Sequence, residues 1–198
     1  MRIAETGILQ VQIEQRENGY SIEIISPDKP GLLSLVAGVL NSSRLDVRSA
    51  RTKSHGNSAV MKWIVTPEPF APLVTSESLH KEIERAYKDA THVEEKLIAR
   101  AEAYASVPTI PVPEPVIEIF NDGATYATII EVRSHDRPGL LFRIGAGITQ
   151  SKVDIRSAIV TTLGAEAIDT LYVTEISGGP LSEQRGQEVA TRLIHLLK

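Results

Sequence analysis

Ser26-Pro27-Asp28-Lys29-Pro30-Gly31-Leu32-Leu33 returns later in the chain as Ser134-His135-Asp136-Arg137-Pro138-Gly139-Leu140-Leu141. Downstream, Leu45-Asp46-Val47-Arg48-Ser49-Ala50 returns as Val153-Asp154-Ile155-Arg156-Ser157-Ala158, at the same offset of 108 residues. That offset also carries Gly56 onto Gly164, Ala59 onto Ala167 and Val65-Thr66 onto Val173-Thr174. From position 26 to 66 there are 15 identities in 41 positions without a gap, so the chain contains a duplication. More weakly, Ile8–Ile13 falls on Val116–Asn121, and Leu79–Ala90 on Gln187–Lys198. Two units are expected, over about 6–90 and 114–198, with a connector over 91–113.

Each unit begins with apolar alternation. Tyr20–Ile25 and Ala127–Arg133 have the β-branched content and period of half-buried strands. A helix follows, with Pro30 and Pro138 suited to its first turn. Leu33, Val36, Ala37 and Leu40 form its apolar face, repeated by Leu141, Ile144, Gly145 and Ile148. Asp46–Lys53 and Ala59–Thr66 predict two more strands around a turn at His55-Gly56-Asn57; Asp154–Thr161 and Ala167–Thr174 match them around Leu163-Gly164-Ala165. A second helix closes each unit, from about Ser76 in the first and behind a Ser182 N-cap in the second. With no strand after that last helix, 8–13 and 116–121 must supply the fourth strand. The fold class is α+β: two permuted ββαββα, ferredoxin-like units, each a four-stranded antiparallel sheet with two helices on one face. In the connector, Val93, Leu97, Ala101 and Tyr104 continue the helical period, running on or kinking near Thr91. Ser106–Pro115 predicts a stiff, extended strap.

Composition narrows function by exclusion. A formal net charge of -4 gives no general attraction to nucleic acid or anionic lipid. No apolar run approaches the roughly 20 residues of a membrane span, and Met1–Thr6 carries no signal-peptide core. Cysteine is absent, which removes disulfides, thiolate nucleophiles and Cys-ligated zinc, and a cytoplasmic location is expected. An RNA-recognition role would need stacking aromatics, for which only Trp63 and Tyr172 are candidates, and both suit packing better. An acylphosphatase-type loop is unsuited, because Asp136 would repel phosphate; Arg143 then belongs to a solvated helix face. His55, His80, His92, His135 and His195 are scattered and are expected at surfaces or turns.

The repeated turn has a chemistry of its own. Asp28 and Asp136 can cap the helix that follows and complement its dipole. The same turn can hold a ligand: helix-end N–H groups suit a carboxylate, a nearby Asp suits an ammonium group, and a glycine without Cβ admits close approach. An α-amino acid carries both charges.

The unit, with Asp-Arg-Pro-Gly-Leu-Leu at its first turn, resembles the ACT domain, a module that commonly binds amino acids between paired copies. The segments Thr128–Gly145, Val153–Ala158 and Thr162–Thr174 resemble in particular the end of bacterial PII uridylyltransferases, adenylylating in some actinobacteria. The resemblance is strong over 114–198 and looser over 6–90. It implies that the chain is a glutamine-sensing regulatory region, excised from a longer enzyme that attaches a nucleotide to the nitrogen-signalling protein PII and removes it. The implied ligand residues are Asp136, Arg137, Pro138, Gly139, Leu140, Leu141 and Ile155, with Asp28, Lys29, Pro30, Gly31 and Leu32 in the first unit. The first unit departs further from the pattern, reading Val60-Met61-Lys62-Trp63-Ile64 where the second has Ile168-Asp169-Thr170-Leu171-Tyr172. No catalytic residue, metal site or cofactor is expected in this chain; Mg2+ and nucleotide would belong to upstream catalytic domains. The implied partners are an amino acid, those domains, PII indirectly, and a second copy through ACT pairing, with no nucleic acid and no membrane. An amino-acid-responsive ACT protein of another system is the alternative.

Overall fold

A computed structural model describes residues 8–104 and 113–198, with the backbone alone for Ala101, Ala103 and Tyr104. The first half runs β1 (Gln10–Arg16), β2 (Gly19–Pro27), α1 (Leu32–Ser42), β3 (Leu45–His55), β4 (Ser58–Pro67) and α2 (Ser76–Lys88). After α3 (Thr91–Tyr104) the order repeats: β5 (Val116–Phe120), β6 (Thr128–His135), α4 (Leu140–Gln150), β7 (Val153–Leu163), β8 (Glu166–Glu175) and α5 (Glu183–Leu197). Alternation in the sequence becomes alternation in burial: along β2, Tyr20, Ile22 and Ile24 point into the core, and along β8, Ala167, Leu171 and Val173 do.

The two expected four-stranded sheets are one. Eight strands run in the order β1-β2-β4-β3-β7-β8-β6-β5. The join is the antiparallel pairing of β3 with β7: Ser49 opposite Thr161, Arg51 opposite Ile159, Lys53 opposite Ser157. Since Arg51 and Ile159 occupy the same position in the two halves, this register is self-complementary, and an internal pseudo-twofold axis passes between them. The helices obey the same axis. The Ser34 hydroxyl donates to the carbonyl of Phe142, its own counterpart, at 2.8 Å where α1 crosses α4. Small residues permit that approach: a Cβ on Gly145 would lie 2.8 Å from Ser34 Cβ, and one on Gly38 2.9 Å from the Phe142 ring.

One local expectation changes. The edge strands do not share the 108-residue offset: Gln10 pairs with Ile25 where Val116 pairs with Arg133, so Val116 matches Gln10 and not Ile8. A slip of two keeps the same face inward, so alternation could not detect it. The loops differ to match, since Arg16 pairs directly with Gly19 while residues 121–127 separate β5 from β6. Of the two courses expected for the helix after Ala86, the chain takes the break near Thr91: α2 ends at Lys88 and α3 restarts behind Asp89, whose carboxylate accepts from the Thr91 N–H at 2.9 Å. Most of the proline-rich strap lies outside the described residues.

Candidate functional site

Joining the halves through β3 and β7 sets the strand-to-helix turn of each half against the first residues of the other half's β3 or β7. Two clefts result. One is lined by the second turn, Asp136–Phe142, together with Ala37, Asn41, Asp46 and Val47 of the first half and Val160, Thr162, Ala167 and Asp169 of the second. Its pseudo-symmetric counterpart is lined by Asp28, Lys29, Gly31, Leu32, Leu33, Thr52 and Ala59 with Asp154 and Ile155. They are shallow, spanning about 420 and 270 Å3 of space that includes open solvent.

The turns are fixed by backbone. The Asp28 N–H donates to the Asn57 carbonyl and the Asp136 N–H to that of Ala165, both at 2.9 Å, tying each turn to the neighbouring hairpin. The aspartates do not cap the helices, contrary to expectation. The N-cap residues are Gly31 and Gly139, at φ 83 and 77, and no side chain hydrogen-bonds either helix start. Nor are the prolines in the first turn: each precedes the N-cap glycine and bends the chain into it. The first N–H of each helix is held within the turn, Leu32 donating to the Lys29 carbonyl at 3.2 Å and Leu140 to that of Arg137 at 3.0 Å, while no side chain caps the N–H groups that follow.

The basic residue of each turn reaches backwards. Lys29 Nζ donates to the Tyr87 carbonyl at 3.1 Å and lies 3.6 Å from the Tyr87 ring centroid. Arg137 donates to the Leu197 carbonyl, and Arg143 to that of Leu196. These cations therefore hold the last turn of α2 and α5, where helix carbonyls are left over. Arg143 is thus half-buried in a clasp, not on a solvated face. Arg137 Nε remains buried without a hydrogen-bond partner.

A bulge in each inner strand supplies another charge. The register of β3 against β4 shifts between Val47 and Ser49, and that of β7 against β8 between Ile155 and Ser157, leaving Arg48 and Arg156 as the extra residues. Arg156 bridges Asp154 at 3.0 Å and Asp28, across the pseudo-axis, at 3.4 Å. Arg48 pairs with Asp46 at 2.8 Å and acts on Asp136 through its charge.

The two clefts differ in what fills them. At Gly31 an added Cβ would meet the Thr149 side chain at 3.3 Å; at Gly139 the nearest atom would be Asn41 Oδ1 at 4.0 Å, so the second cleft is the roomier one at its glycine. Asp169 replaces the buried Met61 of the first half in the inward row of its strand. It is 1% exposed, it stands between Val132 and Val160 on the flanking strands, and its Oδ1 has no hydrogen-bond partner. Burial, and secondarily the charge of Asp136, pushes its pKa up to about 7. Burial likewise raises Asp136, with the charge of Asp46 adding to the effect, and raises Asp46. The second cleft thus gathers Asp46, Asp136 and Asp169 around the start of α4, a set of groups complementary to a small zwitterion.

Of the residues expected at a ligand site, Asp136, Arg137, Pro138, Gly139, Leu140 and Leu141 line the second cleft, and Asp28, Lys29, Gly31 and Leu32 the first, whose lining does not include Pro30. Ile155 sits in the first cleft, across the axis from its own turn; its counterpart Val47 serves the second. Sequence reasoning passed over Asp169, Arg48 and Asn41. Asp169 had a signal: a charge in the inward register of an otherwise apolar strand. His92 is more enclosed than expected, its side chain 12% exposed near Glu82.

Residues 128–185 match the ACT domain, and residues 10–98 match the ACT-like domain of plant bHLH transcription factors. The bifunctional uridylyltransferase/uridylyl-removing enzyme of Streptomyces coelicolor is 34% identical over 187 residues, which is 91% of this chain and 22% of that enzyme. The chain therefore spans about a fifth of that relative's length. A crystal structure of an unknown protein from Galdieria sulphuraria aligns with 90% of this chain and 91% of its own, at a TM-score of 0.29 and 13% identity.

Proposed function

We propose that the chain, which matches the ACT domain over residues 128–185 and is similar to one stretch of a uridylyltransferase/uridylyl-removing enzyme, senses glutamine for a PII-modifying enzyme. The chain acts as a regulatory region, while nucleotidyl transfer and removal belong to catalytic domains elsewhere in a longer protein. The ligand sits in the second cleft. Its α-carboxylate meets the opening N–H groups of α4, its ammonium group faces the aspartates gathered with Asp136, and Gly139 lets its backbone atoms approach.

The observation that carries this reading is the open space beside Gly139 within a cleft formed by both halves. A ligand there touches α4, β3 and α1 together, so its binding energy reports on how the halves are set against each other. Such a contact can pass a signal to attached domains, because a rigid-body shift of one half would be felt at both ends of the chain.

The test is a thermal-shift screen of the twenty standard amino acids. Glutamine at about 100 times its Kd is expected to add roughly 2.7 kcal/mol of stability. A chain that none of them stabilises contradicts the sensing role. The purified chain is also expected to show no nucleotidyl transfer to PII with or without glutamine; turnover that survives removal of contaminants would place an active site in it.

A further inference from the structure

Asp169 is expensive to keep. A carboxyl that is 1% exposed, flanked by Val132 and Val160, gains nothing for the fold that the Met61 of the other half does not supply. Among the described residues it has no ion pair, and one oxygen has no hydrogen-bond partner. Yet it lines the cleft together with Asp136. Arg137 lines the same cleft, and its side chain is turned to the Leu197 carbonyl at the end of α5. A buried carboxyl oxygen that lines a cleft and has no partner is what a ligand's ammonium group would meet.

We propose that Asp169 is the counter-charge that fixes a ligand's ammonium group at the floor of the second cleft, and that binding there expels the proton Asp169 carries in the empty protein. This rests on the reading of the cleft as an amino-acid site and adds to it which residue selects for an amine and how pH governs occupancy. Asp136, from the turn before α4, acts on Asp169 through its charge; Arg137 of the same turn and Asp46 of β3 line the cleft with them, and Asp46, Arg48 and His135 act on Asp136 in turn. Three carboxylates against cations largely engaged elsewhere favour a protonated carboxyl in the empty cleft. An ammonium group supplies the missing positive charge, the proton leaves to solvent, and N–H···O hydrogen bonds to Asp169 form in its place. The first cleft has Met61 at this position and Thr149 beside its glycine, so it lacks the amine-binding floor.

Calorimetry with L-glutamine on the intact chain tests this at pH 6 and pH 8, with Asp169→Asn and Asp169→Met as variants. For the unmodified chain, affinity is expected to rise about tenfold from pH 6 to pH 8, the factor for one linked proton with a pKa near 7. At pH 6 the heat should vary with the buffer's ionisation enthalpy as close to one proton is released, and at pH 8 it should hardly vary. Asp169→Asn keeps the shape and is expected to bind at least tenfold more weakly at pH 8, with no rise between the two values. Asp169→Met places in the second half the residue the first already buries, guarding against a variant that fails to fold. A folded Asp169→Asn chain that binds glutamine as tightly as the unmodified one, or with the same pH dependence, overturns the role of Asp169 while leaving the cleft as a site. Absence of glutamine binding by the unmodified chain at pH 8 contradicts both.

Discussion

At Asp169 the penalty of burial is measurable without any ligand. Its folded-state pKa lies near 7, above the ordinary value of about 3.9 that it has unfolded, so the folded chain holds the proton more tightly. For an acid raised in this way, folding stability falls as pH rises from about 4 and levels off above about 7. Asp169→Asn removes the titration. Its stability advantage over the unmodified chain is expected to grow from near zero at pH 4 to about 4 kcal/mol at pH 8, read by urea unfolding at several pH values. A constant difference across that range would mean that the carboxyl is solvated. Asp136 is a different case. Because it does not cap α4, Asp136→Ala should weaken glutamine binding by about 1.5–3 kcal/mol without the roughly 1 kcal/mol loss of stability that removing a cap produces.

The elements were the most legible level in the sequence. Strand alternation and the Leu33/Val36/Ala37/Leu40 spacing gave the right element types in the right order, because each is set by local burial of one face. What alternation cannot sense is a shift by two, which is why β1 and β5 differ in register from the 108-residue offset. Nor could the Asp-Lys/Arg-Pro-Gly motif reveal that its glycine, and not its aspartate, is the N-cap, since both occur in that position. The bulges at Arg48 and Arg156 could not be read from alternation, because they show only as a register shift against the neighbouring strand. The α1–α4 crossing depends on small side chains. Gly145→Val would drive a branched side chain into Ser34, whose Cα and N lie 3.1 and 3.2 Å from the new Cβ. A loss of about 1–3 kcal/mol is expected by urea unfolding; an unchanged midpoint would show that the helices part easily.

The whole molecule is where sequence reading fell short. The duplication announced two similar halves, but the β3–β7 pairing that fuses their sheets joins segments about 108 residues apart and has no local signature. The same fusion brings Asp46, Val47 and Asn41 to a turn in the other half, so the cleft itself was only half visible. Fusion predicts shared stability. Trp63 is the sole tryptophan and lies in the core of the first half, so its fluorescence follows that half alone, whereas far-UV circular dichroism follows both. The two urea curves are expected to coincide; separated midpoints would mean that the halves unfold independently.

The open glycine of the second cleft is the feature on which ligand binding turns. Gly31 and Gly139 share a positive φ, so Gly31→Val and Gly139→Val should each lose about 1–2 kcal/mol of stability through the same backbone strain. Only Gly139→Val places its side chain in the space reserved for the ligand. Calorimetry with glutamine on the two folded variants is therefore the most direct test: binding should be lost in Gly139→Val and kept in Gly31→Val, whereas unchanged affinity in Gly139→Val would reduce the turn to a piece of scaffold.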